Sequence, residues 1–174
     1  VAAHGALLAG AKTIWMNRFD ADQVIAALPR ATVFMGVPTM YVRLLDEPAF
    51  DAQACRGMRL FVSGSAPLLA DTFRQFEVRT GHRILERYGM SETVMLPSNP
   101  YDGNRMAGTV GLALPGVEAR VVDEKAGLCG VGEIGAIEVR GPNVFSGYWR
   151  MPEKTREEFT ADGYFKTGDM GKWD

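Results

Sequence analysis

Histidine and cysteine are scarce in this sequence of 174 residues. The two cysteines, Cys55 and Cys129, stand far apart in no metal-binding spacing. That excludes a disulfide framework and a zinc motif, and leaves two idle thiols. The two histidines, His4 and His82, support no nucleophilic triad. His82 follows a helical pattern, where a surface place near the helix C-terminus suits it. No Gly-x-Ser-x-Gly elbow is present, and no Gly-x-x-x-x-Gly-Lys-Ser/Thr phosphate loop. A dominant charge is missing as well. Lys and Arg number 19 against 21 Asp and Glu, a net charge of -2, which is not the basic footprint of a nucleic-acid binder. No uncharged run reaches the ~18 residues that a transmembrane helix needs. The longest, residues 31–42 and 106–117, are interrupted by Pro38 and Pro115. No basic stretch or cleavage pattern opens the chain, so no secretory signal is visible and a cytoplasmic location is expected. The chain starts without Met and stops at Trp173-Asp174 in mid-pattern, so both ends are expected to be cut.

What is there is a globular composition, 47% hydrophobic and 23% charged. At ~150 residues per domain the length suggests one domain or two small subdomains. Over residues 1–100 short apolar runs alternate with helical patterns. Strands are predicted at 13–16, 31–35, 60–63 and 83–88. Asp20 is a suitable N-cap for a helix that Pro29 terminates. A helix is predicted over 39–45, after Gly36-Val37-Pro38. Another spans 67–80, with Leu69, Phe73 and Phe76 on one face and Gly81 where a C′ glycine belongs. Such alternation predicts a mostly parallel α/β sheet.

The pattern changes near Pro97, where Gly, Pro and Asn accumulate. Beyond it, Val117, Ala119 and Val121 share one strand face, and Ile137 and Val139 share another. Turn clusters lie at 123–127 and 130–135, and a short helix is predicted over 152–159 with Pro152 at N1. Residues 101–174 are therefore expected to form a small antiparallel, barrel-like β subdomain. No internal repeat and no low-complexity tract is present.

Three segments have residues suited to chemistry. Ser63-Gly64-Ser65-Ala66-Pro67-Leu68 leaves a strand and opens a helix, whose free N–H groups suit an anion. The same segment also reads as an ordinary strand-to-helix turn. Glu86-Arg87-Tyr88-Gly89-Met90-Ser91-Glu92-Thr93 offers a flat ring for stacking, a glycine for close approach, two hydroxyls for phosphate oxygens and a hard carboxylate for Mg²⁺. The alternative is a solvated loop. In 162–169, Asp169, a carboxylate between Gly168 and Gly171, suits a ribose diol, while Asp162-Gly163 reads as a type I′ hairpin turn.

Together these segments resemble the adenylate-forming superfamily of acyl-CoA synthetases, luciferases and peptide-synthetase adenylation domains. The runs 63–68, 86–93 and 164–169 stand in that family's motif order. Gly132-Glu133-Ile134-Gly135, Arg140-Gly141-Pro142 and Gly147-Tyr148 add a fourth motif, so the likeness extends over the whole chain. The resemblance implies an AMP-forming acid–thiol ligase that uses ATP, Mg²⁺ and CoA. It implies that Ser65, Ala66 and Pro67 line the adenine and acyl region. Glu86, Arg87, Tyr88 and Gly89 would border the adenine, with Tyr88 stacked on it. Ser91 would touch the α-phosphate, Glu92 would hold Mg²⁺, and Asp169 would bind the ribose hydroxyls. It further implies a phosphate loop upstream of Val1 and a small lysine-bearing domain beyond Asp174. Neither Lys166 nor Lys172 sits in that lysine's motif, so the chain alone is expected to be inactive.

Within the superfamily, residues 36–43, 86–93, 98–103 and 141–145 are most similar to malonyl-CoA synthetases. That resemblance implies malonate as the acid. A second carboxylate left unpaired in a pocket would be costly, and a guanidinium is its best partner. Arg43 is the candidate, with Ser63 and Met90 bounding the acyl pocket; a solvated helix-face arginine and simple core packing are the plainer roles for Arg43 and Met90. A fatty-acyl ligase, with Phe34, Met35, Met40 and Leu44 lining a tunnel, and an aryl-CoA ligase remain open. So does a catalytically inert nucleotide-binding fragment.

Overall fold

The computed structural model describes residues 2–174. The chain divides into two compact units. One runs to Gly89 and resumes over Pro97–Leu112; the other comprises Met90–Leu96 and Ala113–Asp174.

The first unit opens with α1 (Ala2–Leu8), which buries no side chain. Helix α2 (Ala21–Ala27) starts where the Asp20 carboxylate accepts the Gln23 N–H at 3.0 Å. Strand β1 (Val33–Gly36) leads through Val37 into α3 (Pro38–Leu45), with proline at the first helical turn. Then follow α4 (Ala52–Cys55), β2 (Leu60–Ser63), α5 (Ala70–Thr80) and β3 (Leu85–Glu86). Gly81 closes α5 in the left-handed region, φ 75°, as a C′ glycine does. Strands β1, β2 and β3 pair in that order, all parallel. The short strands β4 (Pro97–Ser98) and β5 (Leu112–Ala113) form a separate ribbon.

The core of this unit is aromatic. Phe76 lies 4.9 Å from Phe61, 5.5 Å from Tyr41 and 5.8 Å from Phe50, centroid to centroid, mostly edge-on. All four rings are buried. The Tyr41 hydroxyl is not stranded there, because it donates to the Val62 carbonyl at 2.7 Å.

The second unit contains β6 (Glu118–Val122), β7 (Gly135–Arg140), α6 (Pro152–Glu158) and β8 (Phe165–Gly171). The strands form one antiparallel sheet in the order β6-β7-β8. Val121, Val122, Val139 and Phe165 are its buried hydrophobic residues. On the polar side Glu138 is buried but pairs at 2.7 Å with Arg120 on the neighbouring strand. Arg120 in turn binds Asp162 and lies 3.9 Å over the Tyr164 ring.

Four expectations need correction. The β subdomain is not barrel-like: β6 and β8 both flank β7 and do not pair with each other, so the sheet stays open. Three short strands are too few to close at the tilt a barrel demands. Residues 13–16 are not a strand, because no described strand lies beside them and Trp15 is 77% exposed. The third helix starts at Ala70 rather than at 67; Leu68 is buried and donates its N–H to the Glu86 carboxylate, and Leu69, the N-cap, is extended. Asp162-Gly163 is not a type I′ turn, since only Gly163 has positive φ (84°). The turn closes instead by a Gly163 N–H bond to the Thr160 carbonyl at 3.0 Å.

Candidate functional site

In the first unit the parallel register sets Gly36, Ser63 and Glu86 in one row at the C-terminal ends of the three strands. That edge is where open parallel sheets bind ligands, because each chain turns away there and leaves a crevice. Gly36 is small for a local reason: a Cβ would come 2.8 Å from the Phe34 ring. Ser63 is fully buried and its Oγ has no hydrogen-bond partner among the described residues. Glu86 is 3% exposed. Its Oε1 accepts the Leu68 N–H at 2.9 Å, while its Oε2 is buried with no hydrogen-bond partner among the described residues.

Two loops leave this row. The loop after β2 presents Ser65, Ala66 and Pro67 to solvent, and Ser65 is held at φ 68°. A non-glycine residue in that region stores strain, a frequent mark of a ligand-binding turn. A Cβ on Gly64 would lie 3.2 Å from the Arg87 carbonyl, so the loops after β2 and β3 run close together. The Arg87 N–H donates to the Ser63 carbonyl at 3.1 Å and the Tyr88 N–H to the Pro97 carbonyl at 3.1 Å. Burial lowers the Arg87 pKa.

Asn99, which sequence reasoning did not assign to the site, organises this edge. Its Nδ2 donates to the carbonyls of Glu86 (3.1 Å) and Thr109 (2.7 Å), and its Oδ1 accepts the Met106 N–H. The signal was present in Ser98-Asn99, but an asparagine in a Gly/Pro-rich stretch reads first as a turn residue.

Burial raises the Glu86 pKa above its usual 4.5, and the Leu68 N–H opposes this. A carboxyl that binds its proton more tightly when folded makes stability fall as pH climbs from its unfolded pKa to its folded one. Glu86→Gln keeps an acceptor for Leu68 and removes the titration. Urea unfolding at a series of pH values above about 4.5 is expected to show a stability loss in the parent that the variant lacks. Parallel curves would contradict this.

Arg43 does not join the row. It is exposed in the last turn of α3, five residues past Pro38, and its guanidinium lies 4.7 Å over the Phe19 ring. At 1.5 Å per residue that is about 7.5 Å further along the helix axis.

In the second unit the candidates occupy a tight turn. The Thr93 N–H donates to the Met90 carbonyl at 3.2 Å, and the Met90 N–H to Thr93 Oγ1 at 3.3 Å. Thr93 is fully buried and anchors the turn, while Ser91 is exposed on it. Glu92 is half-buried, and its Oε1 accepts the Tyr148 hydroxyl at 3.1 Å.

Asp169 lies on β8 within an irregular register. Between Ala136 and Glu138 of β7 one residue intervenes, whereas three lie between their partners Met170 and Lys166. The extra residues form a bulge with Gly168 at φ 77°. Thr167 fastens it, donating to the Ile137 carbonyl and accepting the Asp169 N–H. Bulges commonly re-aim a side chain beside a binding site, and Asp169 stands exposed on this one.

Among the described residues, no group of three His, Cys, Asp or Glu could hold a metal ion. Mg²⁺ does not need one; it commonly takes one or two carboxylates and completes its shell with substrate phosphates and water. A single half-buried carboxylate with one oxygen fixed by a hydroxyl, as in Glu92, fits that pattern. No helix among the described residues is long and apolar enough to cross a membrane.

The sequence profile of the AMP-binding enzymes matches residues 1–149. A malonate–CoA ligase of Arabidopsis thaliana is 52% identical over 151 residues, covering 82% of this chain and 24% of that protein. The ATP-bound crystal structure of MatB from Rhodopseudomonas palustris is similar at a TM-score of 0.95 and 57% identity, over 99% of this chain and 35% of that one. A malonyl-CoA ligase in a ternary product complex with methylmalonyl-CoA and AMP gives a TM-score of 0.84 at 42% identity, over 95% of this chain and 36% of that one. The chain spans about a quarter of the curated relative's length and about a third of each solved one.

Proposed function

This chain belongs to the AMP-binding enzyme family, and we propose that the protein it forms part of joins malonate to CoA through an acyl-adenylate made from ATP. The likeness to relatives named for malonate or malonyl-CoA, at 42–57% identity, is the observation that carries this reading. In the first step a malonate oxygen attacks the α-phosphorus of ATP and pyrophosphate leaves. In the second the CoA sulfur attacks the acyl carbon, its proton is lost, and AMP leaves with the attacking oxygen still on phosphorus.

The residues named above serve binding and orientation in this scheme. Tyr88 stacks on the adenine, with Glu86, Arg87, Gly89 and the loop Ser65-Ala66-Pro67 around it. Asp169 receives the ribose hydroxyls, and Ser91 hydrogen-bonds the α-phosphate. Glu92 would hold Mg²⁺, whose charge offsets that of the phosphates. Ser63 and Met90 are further candidates for contact with the acid. Catalysis of this kind is positioning and electrostatics rather than covalent work by the protein.

ATP–pyrophosphate exchange by the full-length protein tests the substrate, with malonate, methylmalonate, acetate and octanoate compared. Exchange driven by malonate well above acetate and octanoate is expected; octanoate alone would contradict the malonate assignment. Arg43 is the proposed partner of the second carboxylate. Arg43→Ala is expected to cost about tenfold or more in kcat/KM for malonate and little for acetate, because a charge-assisted bidentate contact is lost. Equal kinetics in parent and variant would return Arg43 to its stacking role on Phe19.

A further inference from the structure

The segment 143–148 has no part in the scheme above, yet it binds the turn that carries Glu92 at four points. Asn143 Nδ2 donates to the carbonyls of Thr93 (2.8 Å) and Met95 (2.7 Å). The Phe145 N–H donates to the Glu92 carbonyl at 2.7 Å. The Tyr148 hydroxyl donates to Glu92 Oε1 at 3.1 Å. Backbone and side chain of Glu92 are thus gripped separately, three residues apart on one segment.

The gripping ring is itself fixed. Tyr148 packs edge-on against Phe145, with centroids 4.8 Å apart. Phe145 in turn packs on Phe165 at 5.2 Å and on Phe159 at 5.8 Å. The Tyr148 N–H donates to Thr155 Oγ1 at 2.9 Å, and the Lys154 ammonium lies 5.7 Å from the ring. Gly147 has φ 144°, and a Cβ there would meet Thr155 at 2.6 Å, so the turn into Tyr148 admits little else. A hydroxyl held this firmly sets the plane of the carboxylate it binds. Carboxylates that bind metals are oriented in this way by outer hydrogen bonds.

We propose that Tyr148 is a positioning residue, which holds Glu92 by Oε1 and so aims Oε2 at the Mg²⁺ of the nucleotide. The proposal rests on the reading of Glu92 as the Mg²⁺ ligand. It adds that the orientation is built by the segment 143–148, not by the turn 90–93 alone.

Calorimetric titration of the full-length protein with ATP, in Mg²⁺ and in EDTA and without any acid, tests it apart from turnover. In the parent, Mg²⁺ tightens ATP binding. Glu92→Gln is expected to abolish that gain. Tyr148→Phe is expected to weaken it by about tenfold, with metal-free ATP binding and Tm unchanged, since one oxygen is lost from a half-buried ring. The double variant is expected to match Glu92→Gln, because the hydroxyl acts only through the carboxylate. In turnover the variant should need more Mg²⁺ for half-maximal rate at an unchanged KM for malonate. Full Mg²⁺ gain in Tyr148→Phe beside its loss in Glu92→Gln would overturn the positioning role alone. Full gain in Glu92→Gln would overturn the metal role of Glu92, and the proposal with it. An equal loss with and without Mg²⁺ in Tyr148→Phe would mark the ring as packing only.

Discussion

Glu92→Gln is expected to slow malonate-dependent pyrophosphate exchange by about a hundredfold or more, while the fold is kept. A metal held at developing phosphate charge contributes several kcal/mol to transition-state stabilisation, and a hundredfold is about 2.7 kcal/mol. The amide is nearly isosteric and still offers an oxygen to the Tyr148 hydroxyl. The Phe145 N–H bond to the Glu92 carbonyl does not involve the side chain at all. The loss therefore belongs to the charge. Exchange rates at saturating ATP, with thermal unfolding as the control, check this. Activity within about threefold of the parent would mean that a single carboxylate is not what the phosphates require.

Gly111→Ala is expected to have the largest effect on stability, about 3 kcal/mol. Gly111 has φ 83°, and its added Cβ would come 2.2 Å from the Ser98 carbonyl oxygen and 2.3 Å from the Asn99 nitrogen. Those are backbone atoms, which cannot swing aside as a side chain would. Asn99 moves with them, and Asn99 holds the carbonyl of Glu86 at the strand-end row. Activity is therefore expected to fall along with stability. At ~2–4 °C per kcal/mol for a domain of this size, Tm should drop by roughly 6–12 °C. Gly132→Ala is the control: its φ is also 83°, but a Cβ would meet nothing within 4 Å. It is expected to cost only the backbone strain, about 1 kcal/mol. Equal Tm losses in the two variants would contradict the steric account.

The parts legible in the sequence are those fixed by local chemistry. Asp20 caps α2, Pro38 starts α3 and Gly81 stops α5, because each acts on its own neighbours. The strand at 60–63 is legible because it is central and buried, so its apolar run is continuous. Residues 13–16, Thr-Ile-Trp-Met, are as apolar but form no strand, and composition does not reveal whether a neighbour is there to pair with. The open sheet taken for a barrel failed for a related reason: alternation shows that strands have two faces, not how many strands there are. Among the candidate residues, Glu92 and Asp169 were singled out by residue type, and Ser63 and Glu86 through the motif resemblance. Tyr148 and Asn99 were not, since their roles depend on contacts 56 and 13 residues away. Arg43 was singled out by its guanidinium and by the Gly36-Val37-Pro38-Thr39 run before it, and neither signal shows that this guanidinium stacks on Phe19.

An isotope label tests whether malonate is activated as an adenylate. Malonate labelled with ¹⁸O in its carboxyl groups is incubated with the full-length protein, ATP, Mg²⁺ and CoA, and the products are weighed by mass spectrometry. Malonyl-CoA and AMP are expected in equal amounts, with one ¹⁸O atom transferred to each AMP. Unlabelled AMP, or ADP in its place, would contradict it.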